Sequence, residues 1–227
     1  NNSLTLGAGV ATPISLTTVT GPASGTANLT FDTTGAVTVS GAVGTNIGTI
    51  TITNSGGTTF SSTVSAATVA ITSTTAGNAV TFADNLTLTS GMTVGAGSAA
   101  YNVAINGTTN TIAGTTTFTN TGTVTLGNGS DTINFTGGVV ATAPSGVNVA
   151  GTITAAGTGV INLGVPVSVN ANTTIGGTST GNITLGAATL VDSATLTVGT
   201  GIANAISLSS VTGTAGSTAS NLTINTT

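Results

Sequence analysis

Lysine, arginine, histidine, cysteine, tryptophan and glutamate are all absent from this 227-residue chain. Its ionisable side chains are Asp32, Asp84, Asp131 and Asp192, together with the phenol of Tyr101. Charged residues make up 2% of the sequence, where an ordinary domain carries roughly 25%. General acid–base and nucleophilic schemes therefore lack most of their parts. Zinc and transition-metal sites built from His and Cys are excluded. With no cation, nothing neutralises phosphates or anionic lipid headgroups, which speaks against nucleic acid and membrane surfaces as partners. Aromatics are only 3%, too few for a conventional sandwich core. No run of 18 apolar residues occurs, so no transmembrane helix is expected. A basic n-region and an h-region are likewise missing, and the sequence opens on Asn1, as expected of a processed or excised segment. The absence of Lys and Arg leaves no trypsin sites, which suits an extracellular or cell-surface location.

What is present is Thr and Ser, roughly a third of the chain, with 34 Gly and an apolar fraction of 38% made mostly of Val, Ile, Leu and Ala. Disordered chains combine low hydrophobicity with high net charge; this chain, at net charge −4, has neither. Apolar residues alternate with Thr or Ser in short runs such as Leu4-Thr5-Leu6, Val37-Thr38-Val39, Thr49-Ile50-Thr51-Ile52, Val124-Thr125-Leu126 and Leu196-Thr197-Val198. That period of two predicts half-buried strands. Roughly 25 such runs recur about every eight residues, separated by Gly, Asn, Ser or Ala. No 3.6-residue apolar period is found, so almost no helix is expected.

Two architectures use many short, even strands: tandem β-sandwich domains and a β-solenoid. Sandwiches need hairpins, whose signal is Asn-Gly or Asp-Gly between long runs. Only Asn106-Gly107 and Asn128-Gly129 fit, and neither lies between long strands. The preferred reading is all-β, a right-handed parallel β-solenoid (β-helix) spanning residues 1–227 as one continuous unit. Three strands and bends of about eight residues give about 24 residues per coil. At about 4.8 Å per coil the chain would form nine or ten coils.

A long-range repeat runs through the sequence. Leu4-Thr5-Leu6-Gly7-Ala8-Gly9-Val10-Ala11 is echoed by Leu196-Thr197-Val198-Gly199-Thr200-Gly201-Ile202-Ala203, and Ile14–Gly21 by Ile206–Gly213. After a one-residue slip, Asn28-Leu29-Thr30 aligns with Asn221-Leu222-Thr223. The offset from Leu4 to Leu196 equals eight coils of about 24 residues. Residues 1–192 are then one superrepeat, and 193–227 begin the next. This Leu-Thr-Leu and Val-Thr-Val style, punctuated by Gly, resembles the β-strand-repeat segments of giant bacterial surface proteins. It also resembles the parallel β-helix shafts of filamentous-haemagglutinin-like adhesins and autotransporter passengers. The resemblance covers essentially the whole chain. It implies a solenoid, export, and a structural or adhesive role at the cell surface.

Candidate sites are few. Gly127-Asn128-Gly129-Ser130-Asp131-Thr132-Ile133 matches most of the calcium nonapeptide G-G-x-G-x-D-x-U-x, with Leu126 at the first Gly. Calcium takes six to eight oxygens; one copy with one carboxylate reads instead as an Asx-type turn. The four Asp residues are too far apart in sequence to form an acid pair except by chance of register. Thr-x-Thr recurs at Thr49, Thr87, Thr123, Thr152 and Thr195, as on ice-binding faces, but at irregular intervals, so ordinary outward threonines are expected. Asn-x-Ser/Thr sequons at Asn28, Asn85, Asn106, Asn128, Asn134, Asn172, Asn182 and Asn221 barely exceed chance in so Thr-rich a chain. No catalytic, cofactor-binding or metal-ligating residue is expected, and no enzyme. The expected partners are copies of the chain itself, as a homopolymer or as adjacent tandem repeats, with host or neighbouring-cell surfaces as further contacts. The copies would be held by stacking and by apolar outer faces, in an extracellular filament, sheath or surface layer. The alternative is the shaft of an adhesin.

Overall fold

The computed structural model describes residues 2–23, 26–44, 46–216 and 218–227. Among them there are 24 β-strands and no helix. Every strand pairing is parallel, and partners lie one coil apart in sequence. Parallel pairing between non-consecutive strands is what a solenoid requires. A sandwich built from hairpins would be antiparallel, and no antiparallel pair occurs among the described residues.

The chain winds over three faces in turn. The first face begins with Asn2–Leu6 and Ala27–Asp32, the second with Ile14–Leu16 and Val37–Val39, the third with Val19–Thr20 and Val43–Gly44. Several strands pass round a corner without a break, among them Gly146–Ala155, Val167–Gly177 and Ile206–Gly213. Counted by face, each stack holds ten strand segments: the first, the second and the third. Coil length varies: the shortest coil runs from Ile50 to Val69 and the longest from Leu196 to Leu222. Nine steps carry Leu4 to Ile206, so the average coil is slightly tighter than the sequence pattern predicts.

The period of two sorts the side chains. In Val37–Val39 the valines are buried and Thr38 is exposed; Val167-Ser168-Val169 repeats the pattern. The inward residues merge into one apolar column along the axis. All five Phe are fully buried, with Phe60 stacked on Phe82 at 5.1 Å. Each buried Val, Leu or Ile contributes about 1.5–3 kcal/mol relative to exposure, and the columns hold dozens of them. Some buried polar residues are bonded, and the hydroxyls of Thr58 and Thr116 are buried without a partner. Asn110 replaces an apolar residue in the third-face column; its Oδ1 accepts from Leu86 N–H and its Nδ2 donates to the carbonyls of Gly107 and Thr132. Pro13, Pro22, Pro144 and Pro166 all lie outside strands, where a missing donor costs no ladder bond.

The offset between the two copies of the repeat is not eight coils. Leu4 lies on the first face, but its counterpart Leu196 lies on the third. Ile14 lies on the second face, and its counterpart Ile206 lies on the first. The reason is coil length: because the coils are tighter than expected, the same offset completes eight coils and two further faces.

Candidate functional surfaces

The four aspartates stay apart. Asp32 ends a first-face strand and accepts Gly9 N–H through its carbonyl at 2.8 Å. Asp84 accepts the N–H of Asn85, and Asp192 accepts the Thr214 hydroxyl at 3.1 Å. Asp131 is buried at 7% exposure, and its Oδ2 accepts Asn128 N–H at 2.7 Å. Among the described residues no three acidic side chains come together.

The nonapeptide-like stretch has a local reason for its sequence. Gly127 has φ +81°, and a Cβ there would lie 2.2 Å from the carbonyl oxygen of Ala150 in the next coil. One coil later Gly151, at φ +83°, faces the Asp131 carbonyl in the same way. The glycines let successive coils close on one another at this corner, and the Asp131 carboxylate ties down the turn. A single carboxylate oxygen engages a backbone amide, and it reaches back three residues rather than forward as in an Asx turn.

Tyr101 belongs to no expected site. It is fully buried, and its hydroxyl donates to Gly95 O at 2.5 Å. Burial pushes its phenol well above the usual range.

Of the sequon asparagines, Asn28, Asn85 and Asn172 accept backbone N–H bonds from Thr49, Thr109 and Thr195 at 2.8–2.9 Å. At these corners the side-chain oxygen stands in for a ladder carbonyl, so their amides belong to coil stacking.

The side faces carry hydroxyls. On the third face Thr109, Thr132, Thr152, Thr174, Thr197 and Thr223 pair in unbroken succession. Their sequence intervals are unequal, shortest from Thr132 to Thr152 and longest from Thr197 to Thr223, yet the corners absorb the difference. Of the five Thr-x-Thr runs, those at Thr49, Thr87 and Thr123 lie on different faces, and those at Thr152 and Thr195 share the third-face ladder. On the second face Thr38, Thr59 and Thr81 stack likewise. On the first, Thr5, Thr30 and Thr51 stack, and Ala70 interrupts before Thr93 and Thr117. A shallow depression of about 430 Å³ beside Thr152, Thr174 and Thr197 is lined by Asn172 and Thr195. A second, about 460 Å³, opens at Ala70, Met92 and Gly95. Neither is lined by a charged group.

The outer faces are therefore not apolar, contrary to expectation, because the Val, Ile and Leu supply is consumed by the interior. Val160, 36% exposed, is the one large exposed apolar side chain on the sides among the described residues. The others, Leu4, Val10, Leu222 and Ile224, belong to the first and last coils and are 44–55% exposed. Nothing in the sequence marks these end surfaces, since Leu222-Thr223-Ile224 reads like any interior run. No helix among the described residues is long and apolar enough to cross a membrane. Comparison with protein-family models, curated proteins and solved structures finds no match to this chain.

Proposed function

We propose that this chain is a structural segment of an extracellular filament, sheath or surface layer, extended along its axis by further coils of its own kind. The observation that carries this reading is that a coil's apolar column is covered only by a further coil, while its sides carry hydroxyls. Side chains equivalent to buried column residues are bare at Leu4, Leu222 and Ile224, while the sides are hydroxylated and carry few charges. Exposed strand edges and apolar end columns favour continuation of the stack. The side faces, with few charges and Val160 as their one large exposed apolar group among the described residues, favour weaker lateral contact. The chemistry of such a segment is its backbone ladder and its stacked columns. Electron microscopy with fibre diffraction tests it: ordered rods with a ~4.8 Å repeat along the long axis and concentration-dependent lengthening support it. Rods that stay monomeric at every concentration return the reading to an adhesin shaft.

A second reading rests on the third face. Its six-threonine ladder repeats at ~4.8 Å along the axis, with Thr111 and Thr154 two residues along the strand from Thr109 and Thr152, ~6.8 Å away. These distances are close to repeats in the ice lattice, so the face would order water or bind ice. Inhibition of ice recrystallisation, abolished by Thr174→Lys, is the expected sign; no inhibition by the unmodified chain ends this reading.

A further inference from the structure

The two copies of the repeated sequence share a conformation as well as a pattern. Gly7 and Gly199 have φ +91° and +90°. Gly9 N–H donates to Asp32 O at 2.8 Å, and Gly201 N–H to Asn225 O at 2.9 Å. The Thr33 hydroxyl donates to the carbonyls of Val10 and Thr12. Thr226, its counterpart, donates to the carbonyls of Ile202 and Asn204, the counterparts of those two residues. The stacking register is shared too: Leu4 and Leu6 lie under Leu29 and Phe31, as Leu196 and Val198 lie under Leu222 and Ile224. The same substructure is thus built twice, once on the first face and once on the third.

This identity says what covers the bare end. In the first copy Leu29 and Phe31 are 2% and 0% exposed, because Ile50 and Ile52 sit on them. Ile14 and Leu16 are covered by Val37 and Val39, and Val19 by Val43. Their counterparts Leu222, Ile224, Ile206, Leu208 and Val211 form the end face of the last coil. We infer that this end face is built to receive a coil of the kind formed by residues 35–54, entering on the first face. Each repeat is then turned by two thirds of a turn relative to the one before it. The rival arrangement, a coil like residues 2–23 with every strand kept on its own face, fits less well. Its third-face strand is only Val19–Thr20, which covers one of Leu222 and Ile224 and leaves the other bare.

The inference deepens the proposed axial growth and rests on it for its consequence in a filament. Eight and two-thirds coils at ~4.8 Å advance each repeat by about 42 Å. A side ladder facing one neighbour in one repeat faces another in the next, and three repeats restore the direction. Lateral contacts would therefore be distributed over all three sides of a rod.

The test appends residues 35–57 of this sequence after Thr227 of the full chain, and in a second protein appends residues 2–23 instead. Hydrogen exchange at the amides of Leu222, Thr223 and Ile224 is the readout, with the thermal midpoint. The 35–57 extension is expected to slow exchange there by at least about tenfold and to raise the midpoint. The 2–23 extension should do clearly less. Ile224→Asn should lower the midpoint of the 35–57 protein more than that of the unextended chain. Equal protection by both extensions would overturn the two-thirds turn while leaving axial growth standing. No protection by either would overturn it as well. Sedimentation of the unextended chain then decides axial growth separately, since rods that never lengthen sink that reading whatever the extensions do.

Discussion

The strand Ile183–Leu190 and the strand Asn221–Ile224 are written in the same alphabet, apolar residues alternating with small polar ones. In the first, Ile183, Leu185 and Leu190 are buried; in the second every residue is exposed. The difference is the presence of a coil on both sides rather than on one. In a solenoid a coil's inward side chains are fully covered only when a neighbouring coil lies on each side. Burial is thus a property of stacking, and the same sequence is core or surface according to its place along the rod.

The comparison can be broken most severely in the middle. Ile153→Asp places an unpaired carboxylate in a column covered above and below, and should cost at least about 4 kcal/mol. Leu222→Asp, at the bare end, should cost less than about 1 kcal/mol. Urea denaturation of the two proteins measures the gap, and equal losses would refute the account of the ends. Corners should show a smaller version of the same contrast. Gly127→Val meets Ala150 O at close range and at positive φ, and should cost about 2–4 kcal/mol. Gly9→Ala, also at positive φ but with nothing within 4 Å, should cost about 1 kcal/mol.

Tyr101 sharpens the comparison through pH. Its folded-state pKa is raised by burial, so the fold favours the protonated phenol. That contribution is fully present below the ordinary value of about 10 and is lost as pH rises above it. Stability should fall in the alkaline range, and Tyr101→Phe should flatten that fall while removing the bond to Gly95. The smallest effect is expected inside the columns. Thr58 and Thr116 are fully buried with hydroxyls that find no partner, in positions whose neighbours include Val37, Val80 and Val139. Thr58→Val and Thr116→Val should each stabilise by about 1 kcal/mol in the same denaturation assay, and destabilisation would show that the hydroxyls are satisfied in solution.

Much of this architecture was legible from local pattern. Val37-Thr38-Val39 and Leu196-Thr197-Val198 announced strands with a buried and an open side, and the lack of a 3.6-residue period announced the absence of helix. Less legible were strands whose inward side is polar. Thr109-Asn110-Thr111-Ile112 hides Asn110 in the core, because a column position can be filled by an amide if three backbone groups meet it. The threonine ladders were invisible as ladders, since corners of unequal length separate their members in sequence. At the nonapeptide-like stretch the glycines were visible, but their purpose, the approach of Ala150, needed the neighbouring coil.

Alternation along the chain, a local matter of which side each residue takes on an extended backbone, determined the strands, the apolar interior and the hydroxylated exterior. Composition determined that hardly any charge would lie on the faces. The tertiary structure alone decided which strand lies on which, because coils of unequal length sum to a phase that no single interval reveals. It also decided that the repeat returns to a different face, and which equivalent residues are covered and which are bare. Those outcomes depend on contacts between segments a whole coil apart in sequence, and the energy that fixes them is gained only when one coil closes on the next.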